Sequence, residues 1–127
     1  MTPTARSGRG SRSDNACIQV FERADCVVIT IGGELDLLST AKLAKALETA
    51  DTRARSLIID MTDLAFIDSS GLGILIAAQN RAQAVGGSVV LAHPPPLVRR
   101  LLTGTQLQHR FPAYDTLDDA LAAPRTS

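Results

Sequence analysis

The sequence lacks three features that would each assign it to a large class of proteins. No apolar run approaches the roughly 18–20 residues that a membrane-spanning helix needs. Three arginines near its start are followed by no apolar stretch, which excludes a secretory signal. Its 13 basic and 13 acidic residues give a formal net charge of zero. Without a basic face, the domain is not expected to bind nucleic acid. We expect a cytoplasmic protein whose partner is neither a membrane nor a nucleic acid.

Cysteine is also scarce, with Cys17 and Cys26 as the only two. β-branched residues predict a hairpin of strands Cys17–Glu22 and Cys26–Gly32, in which Glu22 faces Cys26. The cysteines then lie roughly 15 Å apart at about 3.3 Å per residue, beyond the ~7 Å Cα separation that a disulfide tolerates. We therefore expect two reduced thiols, with a redox role only between molecules or after rearrangement.

The length of 127 residues and the apolar content of 45% are typical of a single globular domain. Residues 1–14 are rich in Ser, Arg, Gly and Thr without apolar periodicity, which predicts a disordered N-terminal arm. The domain is predicted over residues 15–123 and is followed by a short tail at 124–127. We expect it to be a monomer or a weak dimer.

Apolar patterning along the domain predicts strands that alternate with helices. After the hairpin, strands are predicted at 56–60, at 88–92 and near 111–113. Helices are predicted after an N-cap at Ser39, from about Ser70, at the end of the Pro94–Pro96 triplet and after Thr116. This order predicts an α/β domain in which helices pack on a mixed, largely parallel β-sheet.

The second predicted helix has the clearest pattern. Its buried stripe should consist of Leu72, Leu75, Ala78, Ala82 and Val85. Gly86-Gly87 should end it, because glycine adopts the left-handed conformation that closes many helices.

Chemistry concentrates at the start of this helix, in Asp68-Ser69-Ser70-Gly71-Leu72-Gly73. A helix N-terminus presents unpaired N–H groups and a partial positive charge, so a phosphate on a serine there would be stabilised. Gly71 and Gly73 each cost about 1 kcal/mol of helix propensity relative to alanine, which indicates that something approaches this backbone closely. An ordinary helix N-cap would use the same Asp and Ser residues, so the local pattern leaves both interpretations open.

The segment resembles the STAS domain of bacterial anti-sigma factor antagonists. The resemblance also includes Asp60-Met61-Thr62 before it, Gly33-Glu34-Leu35-Asp36 upstream, the Gly86-Gly87 break and the Arg100-Leu101-Leu102 helix. It extends from about Cys17 to Ala122, which is nearly the whole predicted domain.

The resemblance implies a function and a set of roles. Ser69, directly after the motif aspartate, would be phosphorylated by an anti-sigma factor that is also an ATP-dependent serine kinase. The unphosphorylated chain would bind that factor and release its sigma factor, and a PP2C-type phosphatase would reset the switch. The implied partner-binding residues are Asp68, Ser69, Ser70, Gly71, Gly73, Glu34 and Asp36.

Some of these roles stay open at this level. Asp68 either contacts the partner or caps the helix, and Glu34 and Asp36 form either a second binding loop or an ordinary turn. Ser70 is expected to be the cap rather than the phosphorylated residue. The exposed side of the second helix, with Gly73, Ala77, Asn80 and Ala84, is either partner surface or a plain solvated face.

The sequence bears on two other classes of function. An enzyme is not expected, because the chain has no G-x-S-x-G elbow, phosphate loop or dinucleotide fingerprint, and His93 and His109 lie in no catalytic motif. Its cysteines and histidines lack zinc spacing, so no metal or other cofactor is expected. The serious alternative is a STAS subunit of a stress-signalling complex or of a lipid or anion transporter.

Overall fold

The computed structural model describes residues 16–35, 39–50 and 56–123, and strands alternate with helices along them. The strands are β1 (Ala16–Glu22), β2 (Cys26–Leu35), β3 (Ser56–Ile67), β4 (Ser88–Ala92) and β5 (Ala113–Tyr114). The helices are α1 (Thr40–Thr49), α2 (Ser69–Ala84), α3 (Pro96–Gly104) and α4 (Leu117–Ala122). The arm at 1–14 and the tail at 124–127 lie outside the described residues, so the domain limits stay predictions.

The strands form one mixed sheet in the order β1-β2-β3-β4-β5. β1 runs antiparallel to β2, whereas β2 with β3, β3 with β4 and β4 with β5 pair in parallel. Each parallel pair needs a crossover, and the intervening helices provide it. The predicted α/β fold with a largely parallel sheet is therefore confirmed.

Helices cover the sheet unequally on its two faces. On one face, Val27, Ile29 and Ile59 pack in the main core with buried side chains of α1, α2 and α3. On the other face, Val28 and Ile58 belong to a smaller cluster that includes Ala120 of α4. Alternate residues of β2 and β3 thus face opposite cores, which explains why their sequences are continuously apolar.

The hairpin differs from its predicted register by one residue. Glu22 pairs with Val27 rather than Cys26, because the Arg23 N–H donates to the Cys26 carbonyl and closes a turn with two central residues, Ala24 and Asp25, instead of the predicted three. Cys17 lies opposite Gly32, far along β2 from Cys26. Both are thiols, with Cys17 exposed and Cys26 buried.

β2 and β3 are both longer than predicted. Gly32-Gly33 does not end β2, because the register shifts on either side of the pair and the strand continues to Leu35. Gly33 adopts a φ of 80°, which is accessible to glycine and accommodates such a bulge. Asp60 does not end β3 either: its side chain accepts hydrogen bonds from the Thr62 N–H and hydroxyl, and the strand runs on to Ile67.

The helices begin and end close to their predicted limits. Pro96 lies in the first turn of α3, and the Thr116 side chain caps α4 by accepting a hydrogen bond from the Asp119 N–H at 3.0 Å. Ser39 lies at the N-cap position of α1, but its hydroxyl donates to the Glu34 carbonyl instead of capping the helix. Val85, predicted to be buried, is 46% exposed because α2 has ended at Ala84.

Candidate functional site

The end of β3 and the start of α2 form the candidate site. Ile67, the last residue of β3, is buried, and Asp68 follows it in an extended conformation that lets the chain turn into α2. Its Oδ1 accepts hydrogen bonds from the Ser70 N–H at 3.0 Å and the Gly71 N–H at 3.2 Å. Asp68 is therefore the N-cap, and the prediction that Ser70 caps the helix is wrong.

Ser70 instead supports this cap. Its hydroxyl donates to Asp68 Oδ1 at 2.6 Å, a short distance typical of a hydrogen bond to a carboxylate. That hydrogen bond, followed by the one from the Gly71 N–H, lowers the pKa of Asp68 below the usual value for an aspartate. The carboxylate is thus negatively charged at neutral pH and occupies two of the N–H groups that the sequence interpretation left available for a phosphate.

Ser69, the first residue of α2, has a different environment from its neighbour. Its side chain is exposed, whereas Ser70 is half-buried. Within the described part of the chain, no residue hydrogen-bonds the Ser69 hydroxyl. Of the two adjacent serines, the structure therefore leaves only Ser69 open to another molecule.

The two glycines of the segment have different reasons for being glycine. A Cβ on Gly71 would lie 2.7 Å from Ile67 Cγ1 and 3.2 Å from Leu35 Cδ2, so close packing of α2 on the strand ends requires this glycine. A Cβ on Gly73 would meet nothing within 4 Å. Packing, rather than access to the serine hydroxyls, therefore accounts for Gly71. Only Gly73, which is exposed, still lacks a structural reason.

Of the predicted second loop, the structure describes Glu34 but not Asp36, which lies outside the described residues. Glu34 is exposed and pairs with Phe66 of β3, while Leu35 pairs with Ile67. Because Ile67 directly precedes Asp68, the exposed Glu34 side chain lies at the same end of the sheet as Ser69.

Phe66 was missed by the sequence analysis. It lies two residues before Asp68, and its side chain is 44% exposed. An aromatic residue in an apolar stretch ordinarily indicates a buried position, so the pattern carried no signal for it. The predicted exposed side of α2 is confirmed, because its four members are all exposed: Gly73, Ala77, Asn80 and Ala84.

Other chemistry is sparse in the described residues. No group of three or more His, Cys, Asp or Glu residues is placed there to hold a metal ion. Nor does any described helix combine the length and apolar character needed to span a membrane. His93 Nδ1 lies 3.0 Å from the Asp115 carbonyl oxygen, and the backbone φ of His93 is 52°. That contact ties the turn after β4 to the segment after β5.

Comparisons with known proteins agree with the fold and identify the family. The STAS domain family model matches residues 18–120, and the chain belongs to the STAS-domain family of anti-sigma factor antagonists. It is 32% identical over 117 residues to the anti-sigma-F factor antagonist RsfB of Mycobacterium tuberculosis, covering 91% of this chain and 94% of RsfB.

Two solved structures are similar as well. An anti-sigma factor antagonist from Mycobacterium paratuberculosis has a TM-score of 0.75 and 30% identity, covering 87% of this chain and 95% of that one. The Bacillus cell fate determinant SpoIIAA in its phosphorylated form has a TM-score of 0.68 and 26% identity, with coverages of 83% and 96%.

Proposed function

We propose that this chain is an anti-sigma factor antagonist switched by phosphorylation of Ser69. In the unphosphorylated state it binds an anti-sigma factor with serine kinase activity in the cytoplasm, and the sigma factor is released. Phosphorylation by that partner ends the interaction, and a PP2C-type phosphatase restores it. The names of its relatives support the antagonist over a transporter or stress-complex subunit. The exposed Ser69 hydroxyl beside the engaged Ser70 is the observation that carries the proposal.

The contrast between the two serines explains why Ser69 is the proposed target. A kinase must align the attacking hydroxyl oxygen with the phosphate and remove its proton. For Ser70 this would first break the 2.6 Å hydrogen bond to Asp68. Ser69 requires no such step, because its hydroxyl is exposed and makes no hydrogen bond to a described residue.

The position of Asp68 also explains how a phosphate would act. Phosphorylation adds about −1.5 to −2 charges at neutral pH. Because Asp68 already holds the N–H groups of Ser70 and Gly71, a phosphate on Ser69 would face outward beside an existing negative charge. Juxtaposed like charges cost several kcal/mol at an interface, and about 1.4 kcal/mol already weakens binding tenfold. The switch therefore needs no change of fold.

The proposed contact surface extends around Ser69. It comprises the exposed or half-buried residues Asp68, Ser70, Gly73, Glu34 and Phe66. Asp36 and Gly71, which is buried, stay predictions within it. Alanine at the exposed position of Gly73 would stabilise the helix by about 1 kcal/mol and would meet no neighbouring atom. A glycine there is explained if the backbone of α2 approaches the partner closely. Phe66 would supply apolar contact area, as aromatic residues commonly do at the centre of interfaces.

The test compares Ser69→Ala with Ser69→Glu as bait in cell extract, with bound proteins identified by mass spectrometry. Ser69→Ala should retain a kinase-type anti-sigma factor, and Ser69→Glu should lose at least nine-tenths of it. Gln19→Glu is the matched control, because it adds the same charge at an exposed position on edge strand β1 and should bind like the unmodified chain.

The captured factor is then incubated with ATP and the unmodified chain. Phosphate should appear on Ser69, and the Ser69→Ala variant should accept none at this segment. Equal capture by Ser69→Glu and Ser69→Ala, or phosphate on Ser70 alone, would overturn the proposal.

A further inference from the structure

A cavity lies at the end of the domain opposite Ser69. Its volume is about 430 Å³, within the range of small-molecule sites. Its walls come from the starts of β3 and β4 at Ser56 and Ser88, from the Gly86-Gly87 corner after α2, from the segment before β5 and from α4. α2 is 16 residues long and thus extends about 24 Å from Ser69 to this corner, so the two sites do not overlap.

The wall formed by the segment before β5 is held in place by a buried side chain. Gln79 of α2 is fully buried, and its Nε2 donates to the Arg110 carbonyl at 2.6 Å and to the Val89 carbonyl at 3.0 Å. Its Oε1 accepts from the Val89 N–H at 2.8 Å. These bonds tie α2, β4 and the Arg110 segment together, so the opening between them is a property of the fold rather than of a loose loop.

The lining has a definite charge. Arg110 and His109 contribute N–H donors, and Arg110 a permanent positive charge, whereas no described lining residue is an aspartate or a glutamate. The guanidinium is oriented by a 2.7 Å hydrogen bond from its Nη2 to Asn80 Oδ1, which leaves its remaining donors available. A negatively charged group is therefore the complementary ligand at this end.

The rest of the lining is mixed. Val90, Pro112 and Ala120 provide apolar surface, and the hydroxyl-bearing residues Ser56, Ser88 and Tyr114 lie among them. A smaller adjoining cavity of about 100 Å³ shares Ser56 and Ala120 with this one. The ligand that fits has an anionic end and a compact body that meets both apolar surface and hydroxyl groups.

We propose that this cavity binds a small organic anion, with its carboxylate or phosphate at Arg110 and His109 and its body against Val90, Pro112 and Ala120. The site is separate from the Ser69 surface, and the proposal holds whether or not Ser69 is phosphorylated. It assigns a ligand-binding role to the end of α2 that the proposed switch does not use.

The test is a titration of the ¹⁵N-labelled full chain with benzoate, followed by NMR. Benzoate should shift the amide signals of Ser56, Ser88, His109–Phe111, Ala113, Tyr114 and Ala120 and leave those of Ser69–Gly73 in place. Benzamide, which has the same shape without the charge, should bind at least fivefold more weakly.

Two variants and one control complete the design. Arg110→Met, which removes the guanidinium but keeps an unbranched side chain, should weaken benzoate binding at least fivefold, while Arg100→Met at an exposed position on α3 should change it less than twofold. Ser88→Leu should block the cavity and abolish the shifts even if Arg110→Met proves poorly folded. Equal binding of benzoate and benzamide, shifts scattered over the surface, or unchanged binding by Ser88→Leu would each overturn the proposal.

Discussion

The two ends of α2 are built on opposite principles. Toward its C-terminal end, Gln79, Gly86 and Gly87 are explained by hydrogen bonds inside the domain. At its N-terminal end, Ser69 and Gly73 are exposed, and no described residue explains why either is there. The difference leaves Ser69 and Gly73 available for the partner contact proposed above.

The C-terminal end illustrates the first principle. Gly86 adopts a φ of 83°, its N–H donates to the Gln83 carbonyl at 3.3 Å, and the Gly87 N–H donates to the Ala82 carbonyl at 2.8 Å. These two hydrogen bonds form a Schellman motif, in which a glycine in the left-handed region ends the helix. The predicted stop at Gly86-Gly87 is confirmed with its mechanism.

Of the changes at either end of α2, a substitution of Gln79 should cause the largest loss of stability. Gln79→Ala removes the acceptor of the Val89 N–H and the donor to two carbonyls in a fully buried position. We expect a loss of about 3 kcal/mol in the free energy of unfolding, since each buried unsatisfied group costs about 1–3 kcal/mol. Urea unfolding followed by circular dichroism measures it. Gln83→Ala, one turn further on and exposed, should change stability by less than about 0.5 kcal/mol, and equal losses from both variants would contradict this account.

The next test separates the two glycines at the N-terminal end. Gly71→Ala should destabilise the domain by about 1–3 kcal/mol, because its Cβ would lie 2.7 Å from Cγ1 of the buried Ile67. Gly73→Ala should stabilise the free domain by about 1 kcal/mol, because alanine favours the helix and nothing obstructs its methyl group. Thermal unfolding of both variants measures the opposite signs.

For Gly73→Ala, partner binding should change in the opposite direction to stability. Gly73→Ala should bind the anti-sigma factor more weakly than the unmodified chain despite its higher stability, if the partner approaches this backbone. A Gly73→Ala variant that is more stable and binds equally well would remove Gly73 from the proposed surface.

The smallest expected effect concerns the charge of Asp68. Its pKa is lowered in the folded state by the Ser70 hydroxyl and the Gly71 N–H, so it lies below the unfolded value of about 3.9. The contribution of this carboxylate is therefore present above about pH 4 and is lost as the pH falls through the folded pKa. Urea unfolding should show that Asp68→Asn is less stable than the unmodified chain at pH 5. The difference in the free energy of unfolding should become smaller as the pH is lowered to 2.

The matched control for Asp68 is another helix cap that carries no charge. Thr116→Ala removes the hydrogen bond to the Asp119 N–H at the start of α4 and should lower stability equally at every pH. If the Asp68→Asn difference were also independent of pH, the carboxylate would not be the group responsible.

Local signals in the sequence were sufficient for the order of elements and for the placement of the serine pair at the start of α2. They failed where a strand continues through an irregularity. Gly32-Gly33 and Asp60 look like strand ends, yet each lies at an irregularity where β2 and β3 remain paired up to Leu35 and Ile67. Pairing between strands outweighs the local preference for a turn, and pairing involves residues far apart in the chain.

The sequence alone determined the α/β class, the stop of α2 and the candidacy of Ser69. Apolar periodicity, glycine stops and a family motif are patterns of residues along the chain, so they can be recognised without knowing which distant residues meet. Only the tertiary structure decided that Asp68 is the cap, that Ser70 is engaged and that Gly71 is required for packing. It also decided that Gln79 holds Arg110 at the edge of a cavity. The reason is the same in each case, since exposure and close approach depend on which distant residues meet, as Gly71 meets Leu35.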